Sequence, residues 1–312
     1  MPKLEHCDNP DSRDDQADSV DIAIVGGGIA GLAAAAALAV AGRSVAVLEA
    51  RELPRAVVDP GASVLDYDPR VSALTPRSIA FLQQLGAWPA IKAARACPYR
   101  HMTVWDGEGT GRIEFDAQEV SAPSLGSIVE NRIVTAALAQ RVQSLPGVRV
   151  LAPARLTGLS RDGVGDKNSG TLLQLEGGAG LKCQLLIAAD GALSPTRDLL
   201  GMRTREWNYG HRAIVTTVAF EHAHQHTAWQ RFLQTGPLAL LPLASPNDQL
   251  CSIVWSVDEE LADDLLAMDD QAFGTALAKA SEHVLGKVTA CAPRRGFPLR
   301  QRHAVDYVLP GV

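Results

Sequence analysis

The first clear pattern of apolar positions lies between residues 21 and 48. Residues 21–25 are rich in β-branched side chains, and a cluster of glycines separates them from the alanine- and leucine-rich run 32–41. β-Branched residues favour strands, whereas alanine and leucine favour helices. Gly42 then ends the helix, and residues 43–48 predict a second strand. The pattern therefore predicts a strand–turn–helix–strand unit.

The next helix is predicted just after Pro76. Thr75 suits the N-cap, Pro76 suits the first turn, and Gly86 ends the helix. The apolar positions recur at helical spacing: Ile79, Leu82 and Leu85. Further along, residues 99–116 predict two strands joined at Asp106-Gly107, and residues 128–138 predict a strand that becomes a helix. Residues 148–159 and 171–176 predict paired strands around a polar loop.

The last third of the chain has a different pattern of apolar and turn residues. Strand-like segments follow one another with turn residues between them, at 213–220, 229–233, 238–243, 250–256 and 297–302. Two helical stretches, 258–267 and 271–285, interrupt the series. Closely spaced strands with short turns predict an antiparallel sheet. The chain therefore belongs to the α/β class, with an antiparallel-sheet domain beside the amino-terminal unit.

The glycines between the first strand and helix have the spacing of a dinucleotide-binding turn, G-x-G-x-x-G. Gly26 allows the tight turn, Gly28 lets the backbone approach a pyrophosphate, and Gly31 allows close packing of helix and strand. The helix N-terminus offers N–H groups and a positive dipole to the phosphates. Glu49 ends the second strand, where a carboxylate accepts hydrogen bonds from ribose hydroxyls. The motif does not distinguish FAD from NAD.

Two other positions are candidate ligand contacts. Arg70 precedes the helix at Pro76 and is a candidate cation for phosphate or ribityl groups, although a surface ion pair is the alternative. Asp190-Gly191 follows an apolar strand, and a carboxylate at the carboxyl end of such a strand can meet a ligand. The alternative is a plain Asp-Gly turn.

Composition narrows the possible functions. The 312 residues are 46% hydrophobic with a net charge of −6, which suits a large apolar core and disfavours a basic nucleic-acid binder. Residues 1–19 carry six acidic and two basic side chains, and we expect a disordered tail there. Five scattered cysteines without a CxxC motif predict free thiols and a reducing compartment. The uncharged stretch 22–42 is interrupted by glycines and is not expected to span a membrane.

His222, His224 and His226 would share one face of a strand. No cysteine or carboxylate has a matching spacing, except Glu221, which would point the other way. A polar edge or loop is therefore favoured, and no metal site is expected. The sequence also contains no Ser-His-Asp or Cys-His pattern, so no catalytic residue is assigned.

Taken together, these segments resemble the flavoprotein aromatic hydroxylases of ubiquinone biosynthesis, the UbiH/UbiF/VisC type. That group is part of the group A flavoprotein monooxygenases with a p-hydroxybenzoate hydroxylase-like fold. The resemblance rests on DIAIVGGGIAGLAAAAAL, DPRVSALTPRSIAFLQQLGAW, IVENRIVTAAL, LLIAADGALSPTRDLLG and AWQRFLQTGPLALLPL. Within this group, residues 105–132 resemble the VisC-type members more than the others.

The resemblance implies a reaction and its cofactor. FAD would bind at Gly26, Gly28, Gly31 and Glu49, with Arg70, Arg132, Asp190 and Gly191 as further cofactor contacts. NAD(P)H would reduce the flavin, O₂ would form a C4a-hydroperoxide, and the ring of a polyprenylated phenol would be hydroxylated. The long apolar tail of this substrate implies peripheral contact with the inner membrane or with a partner in a ubiquinone-biosynthesis complex. A cytoplasmic location is expected. Nucleic acid is not an expected partner.

The resemblance also implies a division of the chain. Residues 20–98 and 128–201 would form a Rossmann-like FAD-binding domain of the GR2 type, and residues 304–312 would return to it as a strand. Residues 99–127 and 202–303 would form the substrate domain.

One part of the family pattern is missing from the printed sequence. The family continues from a Tyr-Val-x-Pro-like segment to Gly-Asp-Ala-Ala-His, but here residues 306–312 are the last ones. The resemblance thus implies a chain without the carboxy-terminal portion. Two alternatives stay open: an inactive FAD-binding fragment or assembly subunit, and another flavin- or NAD-dependent oxidoreductase.

Overall fold

A computed structural model describes residues 18–55, 63–161 and 170–312. Its helices are α1 (Ile29–Val40), α2 (Pro76–Gln84), α3 (Trp88–Arg95), α4 (Asn131–Gln143), α5 (Pro195–Leu199), α6 (Glu259–Ala267) and α7 (Asp270–Ala280). In the described residues no helix is long and apolar enough to cross a membrane. The uncharged stretch 22–42 is instead divided between a strand, the glycine turn and α1.

The first sheet has six strands in the order β8-β2-β1-β11-β10-β9. They are β1 (Asp18–Val25), β2 (Val45–Leu48), β8 (Val148–Leu151), β9 (Leu156–Arg161), β10 (Thr171–Leu175) and β11 (Gly180–Ala188). The pairs β8–β2, β2–β1 and β1–β11 are parallel, whereas β11–β10 and β10–β9 are antiparallel. Residues of α1 and α4 pack on one face, around the fully buried side chains of Ile24, Leu32 and Leu138.

The second sheet is built mainly from the last third of the chain, in the order β16-β12-β15-β14-β13-β5-β6, with β17 also paired to β12. Its strands are β5 (His101–Asp106), β6 (Arg112–Asp116), β12 (Thr204–Phe220), β13 (Thr227–Leu233), β14 (Gly236–Pro242), β15 (Leu250–Asp258), β16 (Val288–Cys291) and β17 (Arg295–Ala304). Every pairing is antiparallel except β5–β13, which is parallel. Helices α6 and α7 contribute to the core on one face, with Phe273 and Leu277 fully buried.

A small sheet joins the two larger ones. Strand β7 (Gly126–Glu130) lies between β3 (Val71–Leu74) and β4 (Ala96–Tyr99), and both pairings are antiparallel. Ile128 of β7 packs in one cluster with Leu243 and Leu250 of the second sheet. Contacts between these buried side chains therefore fix the position of the small sheet against the large antiparallel sheet.

Local signals predicted several boundaries correctly. The Thr75 hydroxyl accepts a hydrogen bond from the Ser78 backbone N–H at 3.2 Å, with Pro76 in the first turn of α2. The predicted strand after residue 128 is β7, and it leads directly into α4. These boundaries depend on capping and turn residues that act within one turn of the chain.

Other predictions were wrong where contacts between residues distant in sequence determine the secondary structure. Residues 148–159 do not form one strand, because β8 pairs with β2 at one edge of the first sheet and β9 pairs with β10 at the other. The polar loop between β9 and β10 falls largely outside the described residues. The second helix of the last third ends at Ala280 rather than at residue 285.

The two ends of the chain also differ from the prediction. The predicted tail lies outside the described residues up to residue 17, but Asp18 and Ser19 already belong to β1. Residues 305–312 are irregular, with a turn at Pro310 and Gly311, and do not form the predicted returning strand. They still reach the first sheet, since the Leu186 N–H donates to the Gly311 carbonyl at 2.9 Å and Val312 packs against the core there. The domain boundaries themselves stay a prediction.

Candidate functional site

The glycine turn after β1 leaves no room for a side chain at Gly26 or at Gly31. Gly26 has a φ of +113°, and a Cβ there would lie 2.3 Å from the Ala189 carbonyl oxygen. A Cβ on Gly31 would lie 1.9 Å from the Gly26 carbonyl oxygen. Both separations are far inside van der Waals contact, so only glycine allows the chain to turn into α1 here.

Gly28 is different, because a Cβ at this position would meet no protein atom within 4 Å. Gly28 is the N-cap of α1, and no side chain caps the helix. The N–H groups of the first turn are therefore available to an anionic group, which the helix dipole also favours. The open space beside Gly28 is a cradle that a side chain would fill, as expected for a backbone that approaches a pyrophosphate.

Glu49 lies directly after β2 and holds the glycine turn. One carboxylate oxygen accepts a hydrogen bond from the Gly27 N–H at 2.7 Å, and the other accepts one from the Arg51 N–H at 3.0 Å. Each carboxylate oxygen has a second lone pair, so both can still accept from ribose hydroxyls. Glu49 thus shapes the turn in addition to the ligand role that its position predicts.

These residues surround a cavity of about 610 Å³. Four residues singled out from the sequence line this space together: Gly28, Glu49, Arg70 and Arg132. Asn131 and Thr135, from the first turns of α4, line the opposite wall. The cavity therefore combines a helix N-terminus and guanidinium groups, which suit phosphates, with a carboxylate, which suits sugar hydroxyls.

Arg132 is positioned by a carboxylate that the sequence did not reveal, Glu130 at the end of β7. The Arg132 Nε donates to Glu130 Oε1 at 2.9 Å, and the side chain also bonds the Asp66 carbonyl. Glu130 itself is only 1% exposed. A buried carboxylate orients a guanidinium strongly, because water cannot replace the guanidinium as the partner of the carboxylate.

Glu130 also fixes the loop on the other side of the cavity. Its Oε1 accepts the Asp68 N–H at 2.7 Å, and its Oε2 lies 2.9 Å from the Nε of buried Arg95. Arg95 in turn stacks over the Tyr67 ring, with 4.3 Å between guanidinium carbon and ring centroid. Burial raises the pKa of Tyr67 to about 12, so its hydroxyl stays protonated and neutral. The Glu130 carboxylate therefore fixes the positions of β7, α3 and the loop before Arg70 relative to one another.

Arg70 lies between two cavities. Its backbone N–H donates to Asp68 Oδ1 at 2.8 Å, and its carbonyl accepts from the Asn131 N–H at 2.9 Å. Arg70 is exposed, and it lines both the large cavity and a second one of about 200 Å³. The second cavity lies against the large antiparallel sheet, where Ala213, Val215, Val254 and Phe297 line it. Arg70 and Asn131 are therefore shared by the two spaces.

Asp190 and Gly191 are not among the residues that line either cavity. Asp190 Oδ2 accepts the Thr196 N–H at 2.9 Å, beside Ser194, which caps α5. Gly191 has a φ of +87°, a backbone conformation that favours glycine. Asp190 follows Ala189, and Gly26 packs against the backbone of both residues. Their assignment as cofactor contacts stays a prediction.

His222, His224 and His226 lie in a loop, in agreement with the prediction of a polar edge or loop. His224 and His226 nevertheless meet Cys97 of β4, with potential ligand atoms of all three residues within 4.8 Å of one another. Sequence spacing could not find this cluster, because Cys97 is more than one hundred positions away.

Hydrogen bonds to backbone atoms explain the cluster. The Nε2 of His224 lies 3.1 Å from the Leu243 carbonyl, its Nδ1 accepts the His226 N–H at 3.1 Å, and the Nδ1 of His226 lies 2.9 Å from the Pro98 carbonyl. Burial lowers the pKa of His224 and raises the pKa of Cys97 to about 12, so the neutral forms are favoured. The cluster joins β4 to the large sheet.

The fold and the site together define an α/β protein that binds a dinucleotide at a glycine turn and carries a second sheet beside the site. A family described as FAD binding domain matches residues 19–308. The chain belongs to this family of FAD-dependent proteins, and FAD is the cofactor that fits the turn, the Gly28 cradle and Glu49.

Several relatives are similar in sequence over most of the chain. The 3-demethoxyubiquinol 3-hydroxylase of Escherichia coli is 36% identical over 295 residues, which are 94% of this chain and 71% of that protein. The ubiquinone biosynthesis monooxygenase COQ6 of Xenopus tropicalis is 38% identical, over 81% of this chain and 54% of that protein. The ubiquinone hydroxylase UbiL of Rhodospirillum rubrum is 34% identical, over 92% and 63%. The chain thus spans between about half and seven-tenths of these relatives.

Solved structures share the fold. The p-nitrophenol 4-monooxygenase PnpA of Pseudomonas putida superposes with a TM-score of 0.68 at 18% identity, covering 94% of this chain and 71% of that one. PqsL of Pseudomonas aeruginosa, solved with 2-aminobenzoylacetate, gives a TM-score of 0.67 at 19% identity, covering 90% and 74%. At these identities the similarity concerns the fold alone. It confirms the predicted p-hydroxybenzoate hydroxylase-like architecture, and the matched family and the relatives place the chain among the FAD-dependent monooxygenases by family.

The Gly28 cradle gives a direct test of the cofactor site. Gly28→Ala should weaken FAD binding by about tenfold or more, since a methyl group there displaces a phosphate from N–H donors whose bonds contribute roughly 1.5–3 kcal/mol each. The free energy of unfolding should fall by no more than about 1 kcal/mol, because the extended backbone at Gly28 suits alanine. Flavin fluorescence titration and urea denaturation measure the two quantities.

The matched control is Gly111→Ala, a glycine in the β5–β6 turn where a Cβ would make only an ordinary van der Waals contact, 3.8 Å from Asp106 Cβ. It should leave FAD affinity unchanged. Equal FAD affinity in wild type and Gly28→Ala would contradict the placement of the phosphates beside this residue.

The buried carboxylate gives a second test. Glu130→Gln should lower the free energy of unfolding by about 3–5 kcal/mol, because it leaves buried Arg95 without its counter-charge. Arg132→Gln should cost less stability, since the Arg132 side chain is 33% exposed, but should weaken FAD binding clearly. Glu114→Gln is the control, because Glu114 forms an exposed ion pair with Arg112 that contributes little. A Glu130→Gln protein as stable as Glu114→Gln would contradict the account.

Proposed function

We propose that this chain is the FAD- and substrate-binding part of a monooxygenase that hydroxylates the ring of a polyprenylated phenol in ubiquinone biosynthesis. The observation that carries the proposal is the pair of adjoining cavities that share Arg70 and Asn131. One has the lining expected for the adenosine and phosphate parts of FAD. The other is mostly apolar and lies where an aromatic ring can meet the cofactor. The names of the three relatives agree with this reaction class.

The described residues that line the two cavities are suited to binding and orienting the ligands. When bound, FAD supplies the redox chemistry, accepting a hydride from NAD(P)H and activating O₂. Glu49 and the α1 N-terminus hold the nucleotide end, while Arg70 and Arg132 supply positive charge along the cavity. The apolar walls of the smaller cavity exclude water from the ring, which suits oxygen transfer because water intercepts reactive intermediates.

The substrate class suggests where the protein works. A phenol with a long apolar tail partitions into a bilayer, so we propose a cytoplasmic protein that contacts the inner membrane peripherally or receives its substrate within a biosynthetic complex. The four cysteines in the described residues are unpaired, which suits a reducing compartment. Cell fractionation tests this location, and recovery from an extracytoplasmic fraction would contradict it.

The reaction is tested by isotope incorporation. The purified chain, loaded with FAD and supplied with NADH or NADPH and a prenylated phenol, should incorporate one atom of ¹⁸O from ¹⁸O₂ into the ring. The second oxygen atom should leave as water, and one NAD(P)H should be oxidised for each product formed. Product mass spectrometry and loss of absorbance at the nicotinamide band measure these quantities.

Two results would contradict the proposal and separate the alternatives. Oxidation of NAD(P)H without ¹⁸O in any phenol, in the presence of substrate, would indicate another flavin-dependent oxidoreductase. Bound FAD without any oxidation of NAD(P)H would indicate an inactive FAD-binding fragment or assembly subunit.

A further inference from the structure

A continuous row of side chains crosses the large antiparallel sheet from the smaller cavity to the sheet edge. Consecutive members lie directly opposite each other in neighbouring strands, from β12 through β15, β14, β13 and β5 to β6. We call it the apolar row, and it consists of Val215, Val254, Ala239, Gln230, Val104 and Ile113. Five strand spacings of ~4.8 Å make it about 24 Å long.

The apolar row occupies one face of the sheet. Residues directly opposite in paired strands point to the same side, and their sequence neighbours point to the other. Those neighbours, such as Ile253 and Trp255 beside Val254, belong to the core that includes α6 and α7. The row therefore faces away from the helices. Val215 and Val254 also line the smaller cavity, so the row begins at the proposed ring site.

Exposure of large apolar side chains increases toward the far end. Val215 is 8% exposed, whereas Ile113 on edge strand β6 is 59% exposed. Phe115 and Phe232 lie two residues beyond Ile113 and Gln230 in their strands, so they share this face, and they are about half exposed. Edge strands normally carry charged residues that prevent association, so an apolar group there marks a binding surface.

The polarity of the row suits an amphiphilic ligand. Arg295 of β17 lies opposite Val215, and Arg70 and Asn131 line the adjoining cavity, so polar groups surround the start of the row. Beyond Val215 the row contains no charged residue, and Gln230 is its one polar member. A molecule with a polar aromatic head and a long apolar tail matches this order.

We propose that the apolar row binds the polyprenyl tail of the substrate while the phenol ring occupies the smaller cavity. The proposal rests on the proposed function, from which the tailed phenol comes. The tail is favoured over a second copy of the chain or another segment because the row is continuous with the ring site. Covering Ile113, Phe115 and Phe232 would remove their apolar surface from water.

The test uses a phenol whose apolar tail extends about 24 Å and carries a diazirine at its far end. Photolysis on the FAD-loaded chain followed by peptide mass spectrometry should place the cross-links in β5, β6 and β13. Ile113→Glu and Phe232→Glu should each weaken binding of the tailed phenol about tenfold, with no effect on the same phenol without a tail. Val40→Glu is the matched control, because Val40 is 60% exposed but lies at the end of α1.

Three results would overturn the proposal: cross-links confined to other segments, equal affinities for tailed and tailless phenols, or an equal effect of Val40→Glu. A dimer that Ile113→Glu dissociates without changing tail affinity would also overturn it, in favour of an interface between copies. The ring hydroxylation is measured separately. Tail binding at the row without turnover contradicts the proposed function alone, whereas turnover with cross-links elsewhere contradicts the row alone.

Discussion

The buried carboxylate of Glu130 is the constraint on which the cofactor wall depends. It lies between Arg95 and Arg132 and accepts the Asp68 N–H, so it ties together segments that are far apart in the sequence. Because the carboxylate is almost without solvent, losing it would leave the buried Arg95 guanidinium without a counter-charge. The arrangement therefore permits few alternatives. It holds Arg132 at the cavity and fixes the loop that leads to Arg70.

The opposite wall depends on close packing and on a hydrogen bond to a carboxylate. Gly26 and Gly31 leave no space for side chains, and the Glu49 carboxylate fixes the Gly27 N–H from the adjacent strand. The two walls belong to different parts of the chain, and the cavity between them is shaped for a ligand that touches both. A cofactor that binds only the folded protein raises the free energy of unfolding by mass action. The free energy of unfolding should therefore increase with the fraction of protein that holds FAD.

The second sheet provides a continuous surface from the cofactor cavity to an exposed sheet edge. Its cavity adjoins the cofactor space at Arg70, and its apolar row runs from there to an exposed edge. Ring and tail of one substrate would then bind to a single sheet face. On this account the substrate is positioned by shape and apolar contact, with its ring beside the cofactor.

The sequence predicted those features that depend on nearby residues. The glycine turn and the Thr75 cap follow from sterics and hydrogen bonds within a few positions. Glu130 could not be recognised, because its partners Asp68 and Arg95 are distant in sequence and a carboxylate before a helix has no special signature. The place of β8 and the parallel pairing of β5 with β13 were missed for the same reason. At Asp190, capping of a short helix competes with ligand binding, and sequence alone cannot separate these roles.

The central claim is that this chain forms an FAD site between the glycine turn and the Glu130 wall. The most direct test is an absorption spectrum of the purified 312-residue chain after incubation with FAD and removal of free flavin, with the released cofactor identified. We expect a flavin spectrum that corresponds to one FAD for each chain. A folded protein that stays colourless after incubation with FAD would contradict the account.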